Sequence, residues 1–359
     1  MGLVIYGNLE RQTGGYLYDR RLVEFLRQQG VRVEVISLPW RDYVRHLKDN
    51  FSPWFFQRLA SLEVDCLLQD ELNHPSLFLL NRRLRQRVNY PLVSIVHHLR
   101  SLEARPAWQN FLYRAVEQRY LTGLDGWVFN SQATRASVEA LAGRLAEDRF
   151  VVAYPGGDRG KEIPGELEIV QRAHQGGPLH LLFVGNLIPR KGVHLILEAL
   201  ARLPGDSLRL DIAGDDRASP AYTSRLHRLI RRLGLGNRVR IWGSVEDHAL
   251  VSLYRQAQAL VMPSFHEGFG IVYLEAMGFG LPVLATSQGG AAELVTQGEN
   301  GYLIAPGDVF MLADHLWKWN SDRDELARMG ILARRRYLQH PTWDDSMAGI
   351  AAWLRKIAR

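Results

Sequence analysis

Residues 179–200 read LHLLFVGNLIPRKGVHLILEAL. An apolar run over 179–184, broken once by His180, closes on Gly185. A loop carries Arg190 and Lys191, and Gly192 opens a segment with helical spacing over 192–203. Strand, loop and helix in that order form half of a parallel crossover unit. Toward the C-terminus the alternation continues, with strands at 208–213, 238–242, 259–262 and 282–285. Helices at 220–234, 246–258 and 270–279 separate them. Toward the N-terminus it lapses over 155–178, where Gly and Pro are frequent, and that stretch reads as a linker. Before the linker a first alternating set appears. Its strand candidates are 3–6, 31–35, 64–68, 91–96, 126–129 and 150–154, and Tyr18, Leu22, Phe25 and Leu26 mark one helix face. The spacing predicts an α/β protein with two doubly wound parallel-sheet domains and ligands at the carboxyl ends of the strands. The expected division is 1–160, a linker at 161–178, and 179–344.

With 359 residues, each half can bury a core of its own. Apolar residues make up 47% and charged residues 23%, which excludes wholesale disorder and fibrous classes. The single cysteine, Cys66, excludes a disulfide framework and suits a reducing compartment, so a cytoplasmic location is expected. No apolar run is long enough for a membrane span, and no leader pattern is read at the N-terminus. Net charge is +6, with 22 Lys/Arg against 18 Asp/Glu in residues 1–165. Such a balance suits an anionic ligand or lipid. The basic residues lack the interleaved stacking aromatics of a single-strand nucleic-acid channel, and no nucleic-acid partner is expected.

Two stretches carry the chemistry. Residues 263–295, PSFHEGFGIVYLEAMGFGLPVLATSQGGAAELV, place Glu267, Gly268 and Gly270 in a strand-to-helix loop and Glu275 inside the following helix. Glycines at such a turn let backbone N–H groups approach an anion beside the helix N-terminus. The two carboxylates would then contact different parts of one elongated ligand. In 183–200, Arg190 and Lys191 precede a helix and would suit a diphosphate. The spacing is not that of a nucleoside-triphosphate P-loop. Asp322-Arg323-Asp324 has the letters of an Asp-x-Asp metal motif, but it opens a helix-like stretch where acidic residues are ordinary. No metal is expected.

These residues resemble a retaining glycosyltransferase of family four, with the GT-B fold of two Rossmann-like domains facing each other across a cleft. The resemblance rests on Glu267-Gly268-Phe269-Gly270 through Glu275-Ala276-Met277, Gly280, Pro282 and Val283. Gly289-Gly290, Glu293, Asn300-Gly301-Tyr302, the segment from Gly185 to Gly192, and 243–250 also match. It implies hexosyl transfer from a nucleotide-diphosphate sugar to an acceptor hydroxyl, lipid-linked or saccharide, without metal. Lys191 and Arg190 would neutralise the diphosphate. Glu275 would hold the ribose, and Glu267 would sit beside the sugar with N–H groups from Phe269 and Gly270. In the first domain Gly14, Gly15, His97 and Ser131 would line the cleft, and the helix at 345–358 would return to that domain. The chain departs from many relatives at Asn186, where they carry arginine. The rival readings are a nucleotide-sugar 2-epimerase of similar fold and a non-catalytic nucleotide-binding scaffold at a membrane surface. The donor base and the oligomeric state stay open.

A final feature lies at 40–59. Trp40, Tyr43, Val44, Leu47, Phe51, Trp54, Phe55 and Leu59 recur at helical spacing, and Ser52-Pro53 can restart a helix. Arg82, Arg83, Arg85 and Arg87 follow downstream. Two readings stand: the stripe packs on the first sheet, or 40–59 and 82–87 meet anionic lipid on the inner face of a membrane.

Overall fold

The computed structural model describes residues 1–11, 13–103, 105–157 and 163–358. The boundary expected at 160–161 lies outside the described residues. The chain divides into two compact units, Met1–Pro155 with Pro341–Arg359, and Gly156–His340.

The first unit is built on a six-stranded parallel sheet. Its strands are β1 (Gly2–Tyr6), β2 (Glu34–Leu38), β3 (Leu67–Asp70), β4 (Leu92–Val96), β5 (Gly126–Phe129) and β6 (Phe150–Val152), in the order β2-β1-β3-β4-β5-β6. Strands β1, β3, β4 and β5 are buried throughout, as expected of a sheet covered by helices on both faces. Two strands are displaced from their expected positions by three residues. The alternation Val31-Val33-Val35 begins too early because Val31 still serves the preceding helix, its N–H bonding to Leu26 O at 3.0 Å. The strand therefore starts at Glu34, which pairs with Gly2. In β3 the pairing likewise begins only at Leu67, opposite Gly2. Cys66 is buried just before it, and burial pushes its thiol up to about 12.

The helix Trp343–Ile357 belongs to this unit and packs on the helix Gly14–Gln28. Its start is fixed by a capping box between Thr342 and Asp345. Trp353 and Ile357 fill the space left by the missing side chain of Gly126 in β5.

The second unit holds β7 (Leu179–Val184), β8 (Leu208–Ala213), β9 (Val239–Gly243), β10 (Ala259–Met262), β11 (Val283–Thr286) and β12 (Gly301–Ile304), all parallel. Their order is β12-β11-β10-β7-β8-β9. The chain therefore reverses its direction of travel across the sheet at β7 and β10. Loops leaving such a pair diverge and open a crevice at the carboxyl ends.

The stretch read as a linker carries a helix, Glu166–Ala173, that is part of this unit. Arg172 donates to the carbonyls of Phe279 (2.6 Å) and Gly280 (3.1 Å), and Ile169 occupies the space beside Gly280. Flanking glycines and prolines hid an eight-residue helix whose buried face is only Ile169, Arg172 and Ala173.

Candidate functional site

In the second unit the two diverging loops meet. The loop after β7 places Arg190 and Lys191 in a short 3-10 turn, Pro189–Lys191. Gly192 follows with φ +73°, and a side chain there would fall 2.2 Å from the carbonyl oxygen of Pro263. The loops from β7 and β10 are thus in backbone contact, and Phe265 N–H donates to Arg190 O at 2.8 Å. A third loop, after β11, supports them from behind. Gly289 forms an isolated bridge with Glu267, and Gly290 N–H donates to Glu267 O at 3.0 Å.

This scaffold fixes one ion-pair cluster. Lys191 Nζ lies 2.6 Å from Glu267 Oε1, and Arg190 Nη1 lies 3.5 Å from the same oxygen. Burial alone would favour the neutral carboxyl of Glu267, but Lys191 and Arg190 overcome it and hold the group down to about 2. Burial and the neighbouring Arg190 lower Lys191, while Glu267 opposes them. At neutral pH the cluster is charged: one carboxylate steadies two cations whose side chains are each about one-fifth exposed or less. Gly185 starts the β7 loop, and the Lys191 side chain runs 3.6–3.8 Å from where a Gly185 Cβ would stand.

Glu267 sits in the loop, as the glycines require, and Glu275 lies inside the helix Ile271–Gly278. Gly270 caps that helix in a left-handed conformation. Phe269 is buried, its ring 5.6 Å from His340, and Gly268 packs its backbone on Gly290. Glu275 is buried and accepts a hydrogen bond from Tyr254 Oη at 3.0 Å. The two glutamates are therefore separately anchored, Glu267 to cations and Glu275 to a tyrosine.

The first unit holds a second constellation, after β1, β3 and β4. His97 Nε2 lies 3.0 Å from Asp19 Oδ1. The Tyr18 ring meets the imidazole edge-on at 5.2 Å. Gly15 backs onto it, since a Cβ there would stand 3.1 Å from His97 Cδ2. Burial disfavours the imidazolium, yet Asp19, Asp70 and Glu71 outweigh it and push His97 up to about 9. Asp70 is raised by its own burial and by Asp19. Asp19 is fully buried, and the sequence reading missed it. It lies three and four residues before Leu22 and Val23, on the apolar stripe of its helix, and a carboxylate at such a position was the available signal.

The other first-unit candidates lie at helix starts. Gly14 and Gly15 are the first two residues of the helix Gly14–Gln28, capped by Thr13. Ser131 is fully buried at the N-cap of the helix Gln132–Ala142. Its hydroxyl accepts from Thr134 N–H at 3.0 Å and donates to Thr134 Oγ1 at 2.8 Å, so it serves the helix cap. His98 lies 3.6 Å from Glu103, away from the Asp19 pair. Asp322 likewise caps a helix, accepting from Glu325 N–H at 2.8 Å.

Among the described residues, two groups could bring ligand atoms to one ion: Asp19, Asp70 and His97, and Glu71, His74 and Glu117. In the second group both nitrogens of His74 are engaged, Nδ1 with Glu71 O at 3.0 Å and Nε2 with Tyr43 Oη at 3.1 Å. Burial sends Glu71 up to about 8 and His74 down to about 4, so both hold their neutral forms.

Residues 166–336 match the family of glycosyl transferases group 1. This stretch of the chain belongs to that family. A D-inositol 3-phosphate glycosyltransferase of Corynebacterium aurimucosum is 32% identical over 267 residues, covering 70% of this chain and 62% of the relative. A protein of the same name from Corynebacterium efficiens is 35% identical over 192 residues, 51% of this chain and 45% of the relative. The chain thus spans about half to three-fifths of the length of these curated relatives. Among solved structures, sucrose-phosphate synthase from Thermosynechococcus elongatus superimposes with a TM-score of 0.84 at 21% identity, covering 99% of this chain and 98% of that one. Anabaena HepE in complex with UDP and glucose gives 0.76 at 24% identity, covering 98% and 99%. The chain has the GT-B fold class, with two six-stranded parallel sheets. No helix among its described residues is long and apolar enough to cross a membrane.

Proposed function

We propose that this chain transfers a hexosyl unit from a nucleotide-diphosphate sugar to an acceptor hydroxyl, on a saccharide or a lipid-linked molecule, with retention and without a divalent metal. The observation that carries the reading is the Glu267–Lys191–Arg190 cluster at the carboxyl ends of β7 and β10. Breaking the bond between sugar and diphosphate builds negative charge on the leaving oxygen. Cations already fixed in place stabilise that charge most where it is greatest, in the transition state. Lys191 and Arg190 supply this stabilisation, and Glu267 holds them oriented beside the sugar. Glu275, anchored by Tyr254, takes the ribose hydroxyls. His97, kept cationic by Asp19, serves the transfer step and not nucleotide affinity. The acceptor oxygen attacks from the face the diphosphate leaves, so the anomeric configuration is retained.

The complex of HepE with UDP and glucose makes a uridine donor the first to test. The chain is assayed with UDP-, GDP- and ADP-sugars, with and without acceptor and with and without chelator. Acceptor-dependent transfer that survives chelator supports the proposal. Release of free UDP and sugar without any acceptor marks the epimerase alternative. Activity abolished by chelator and restored by manganese overturns the metal-independent part. We also read the chain as attached peripherally to an anionic membrane face, where a lipid-linked acceptor would be met.

A further inference from the structure

Fourteen large apolar side chains are exposed among the described residues, and eight of them fall in one stretch of the first unit: Trp40, Val44, Phe51, Trp54, Leu102, Trp108, Phe111 and Leu112. Among the described residues no other part of that unit exposes one. Of the eight residues of the 40–59 stripe, only two are core. Phe55 and Leu59 are buried, whereas Trp40, Val44, Phe51 and Trp54 are each more than half exposed. Of the remaining four, Leu102 lies in the short turn Arg100–Leu102, and Trp108, Phe111 and Leu112 belong to a helix the stripe did not include.

That helix, Ala107–Leu121, is divided along its length. Its last turns bury Glu117, Tyr120 and Leu121 in the unit. Its first turns present Trp108, Phe111 and Leu112, at i, i+3 and i+4, to solvent at 65%, 72% and 54% exposure. The two exposed groups adjoin. Tyr43, beside Val44, meets Tyr113, beside Leu112, with ring centroids 4.5 Å apart. The Arg100 guanidinium lies 5.2 Å from both rings. Single exposed apolar residues are ordinary, but a contiguous group of this size marks an interaction surface.

Charge selects the occupant. Residues 40–60, 80–90 and 100–119 together hold 12 Lys/Arg against 4 Asp/Glu, in a chain of net charge +6. One of those four acids, Glu117, is buried. Arg83 ties the 82–87 group to the same face, donating to Asn50 O at 3.1 Å and lying over the Phe56 ring at 4.8 Å. Lys48, Arg82, Arg87 and Arg114 are exposed and have no carboxylate partner among the described residues. A second copy docking through the same patch would set these positive rims against each other. An anionic bilayer accepts both features at once, with tryptophans at the headgroup level and cations on the surrounding phosphates.

We infer that the first half of the helix Ala107–Leu121 and the segment 40–54 form one continuous surface that docks on an anionic bilayer, with Trp108, Phe111 and Leu112 as inserted anchors. This rests on the peripheral-membrane part of the reading above. The test is cosedimentation of the whole chain with phosphatidylcholine vesicles, with and without about 30 mol% phosphatidylglycerol. Two variants are compared: Trp108→Ser/Phe111→Ser/Leu112→Ser, and Trp40→Ser/Val44→Ser/Phe51→Ser/Trp54→Ser. Binding of UDP to each variant checks that the fold is intact. The expected result is binding at least about tenfold stronger to the anionic vesicles, weakened by salt, and reduced about tenfold or more by either variant. If only the 40–54 variant loses binding, the membrane reading stands and the helix anchor is refuted. Absence of binding to either vesicle overturns both. Self-association that either variant abolishes, without vesicle binding, identifies a second copy as the occupant and also overturns the inference.

Discussion

At the scale of single residues, each unit fixes one charge through a partner. In the second unit the partner was readable: Lys191 and Glu267 both lie in glycine-bearing loops after strands, and the structure joins them at 2.6 Å. Replacing Lys191 by Ala should lower turnover by about 100- to 1000-fold, the usual cost of losing one preorganised donor to a developing anion. Glu275→Gln should instead weaken nucleotide binding while leaving more of the turnover of bound donor. Steady-state kinetics with calorimetry of UDP separates the two, and equal effects on both parameters would undo the assignment. In the first unit the partner was not readable. Asp19 contributes one polar letter to an amphipathic helix, and only the packing of that helix beside β4 brings it to His97. Asp19→Asn removes the strongest of the influences that oppose burial at the imidazole. The His97 pKa should fall from about 9 by about 1–3 pH units. The alkaline limb of the pH–rate profile should move down with it, while UDP affinity stays near the parent value. An unmoved limb would show that Asp19 does not set the charge of His97.

At the scale of elements, the second unit was the more legible half. Its strands at 179–184, 208–213 and 259–262 lie where the apolar runs stop at loop residues. Where reading failed, another element had taken the residues. Val31 belonged to a helix end, and Ile169 and Arg172 to a helix hidden among glycines. The loop contacts at the candidate site were beyond reach of the sequence, because they depend on how closely three backbones approach. Gly289 measures that approach. Its φ is +82°, and a Cβ would stand 1.9 Å from Glu267 O. Gly298 has a similar φ of +75° with nothing within 4 Å. Gly298→Ala should therefore cost only the backbone strain, about 1 kcal/mol. Gly289→Ala must also push the Glu267 loop aside, at about 2–4 kcal/mol. Thermal melting should show a clearly larger fall for Gly289→Ala, together with weakened donor binding. Equal falls would mean that the loop shifts freely and that the close approach does not hold Glu267.

At the scale of the whole molecule, the two units carry oppositely placed pH sensitivities. In the first, His97 is raised from 6.5 to about 9, so its contribution is full below pH 6.5 and is lost as pH climbs through 9. Glu71, raised from 4.5 to about 8, keeps its proton in the fold and works in the same direction, weakening the unit as pH rises from 4.5 to 8. His74, lowered to about 4, costs stability only on the acid side, below 6.5. In the second unit Glu267 is held down to about 2, so its contribution is present above pH 4.5 and disappears as pH falls toward 2. Raising the pH from 6.5 to 9 should thus destabilise the first unit selectively, by about 3 kcal/mol from His97 alone. Hydrogen exchange, corrected for its intrinsic pH dependence, reads the units separately. Amides of β1, β3 and β4 should lose protection at pH 9 while those of β7 and β10 keep theirs. At pH 3 the β7 and β10 amides should lose protection through the Glu267 cluster. In Glu267→Gln that acid loss should be smaller, because there is no longer a carboxylate to protonate. Protection falling equally in both sheets at pH 9 would mean that the buried groups of the first unit do not govern its alkaline stability.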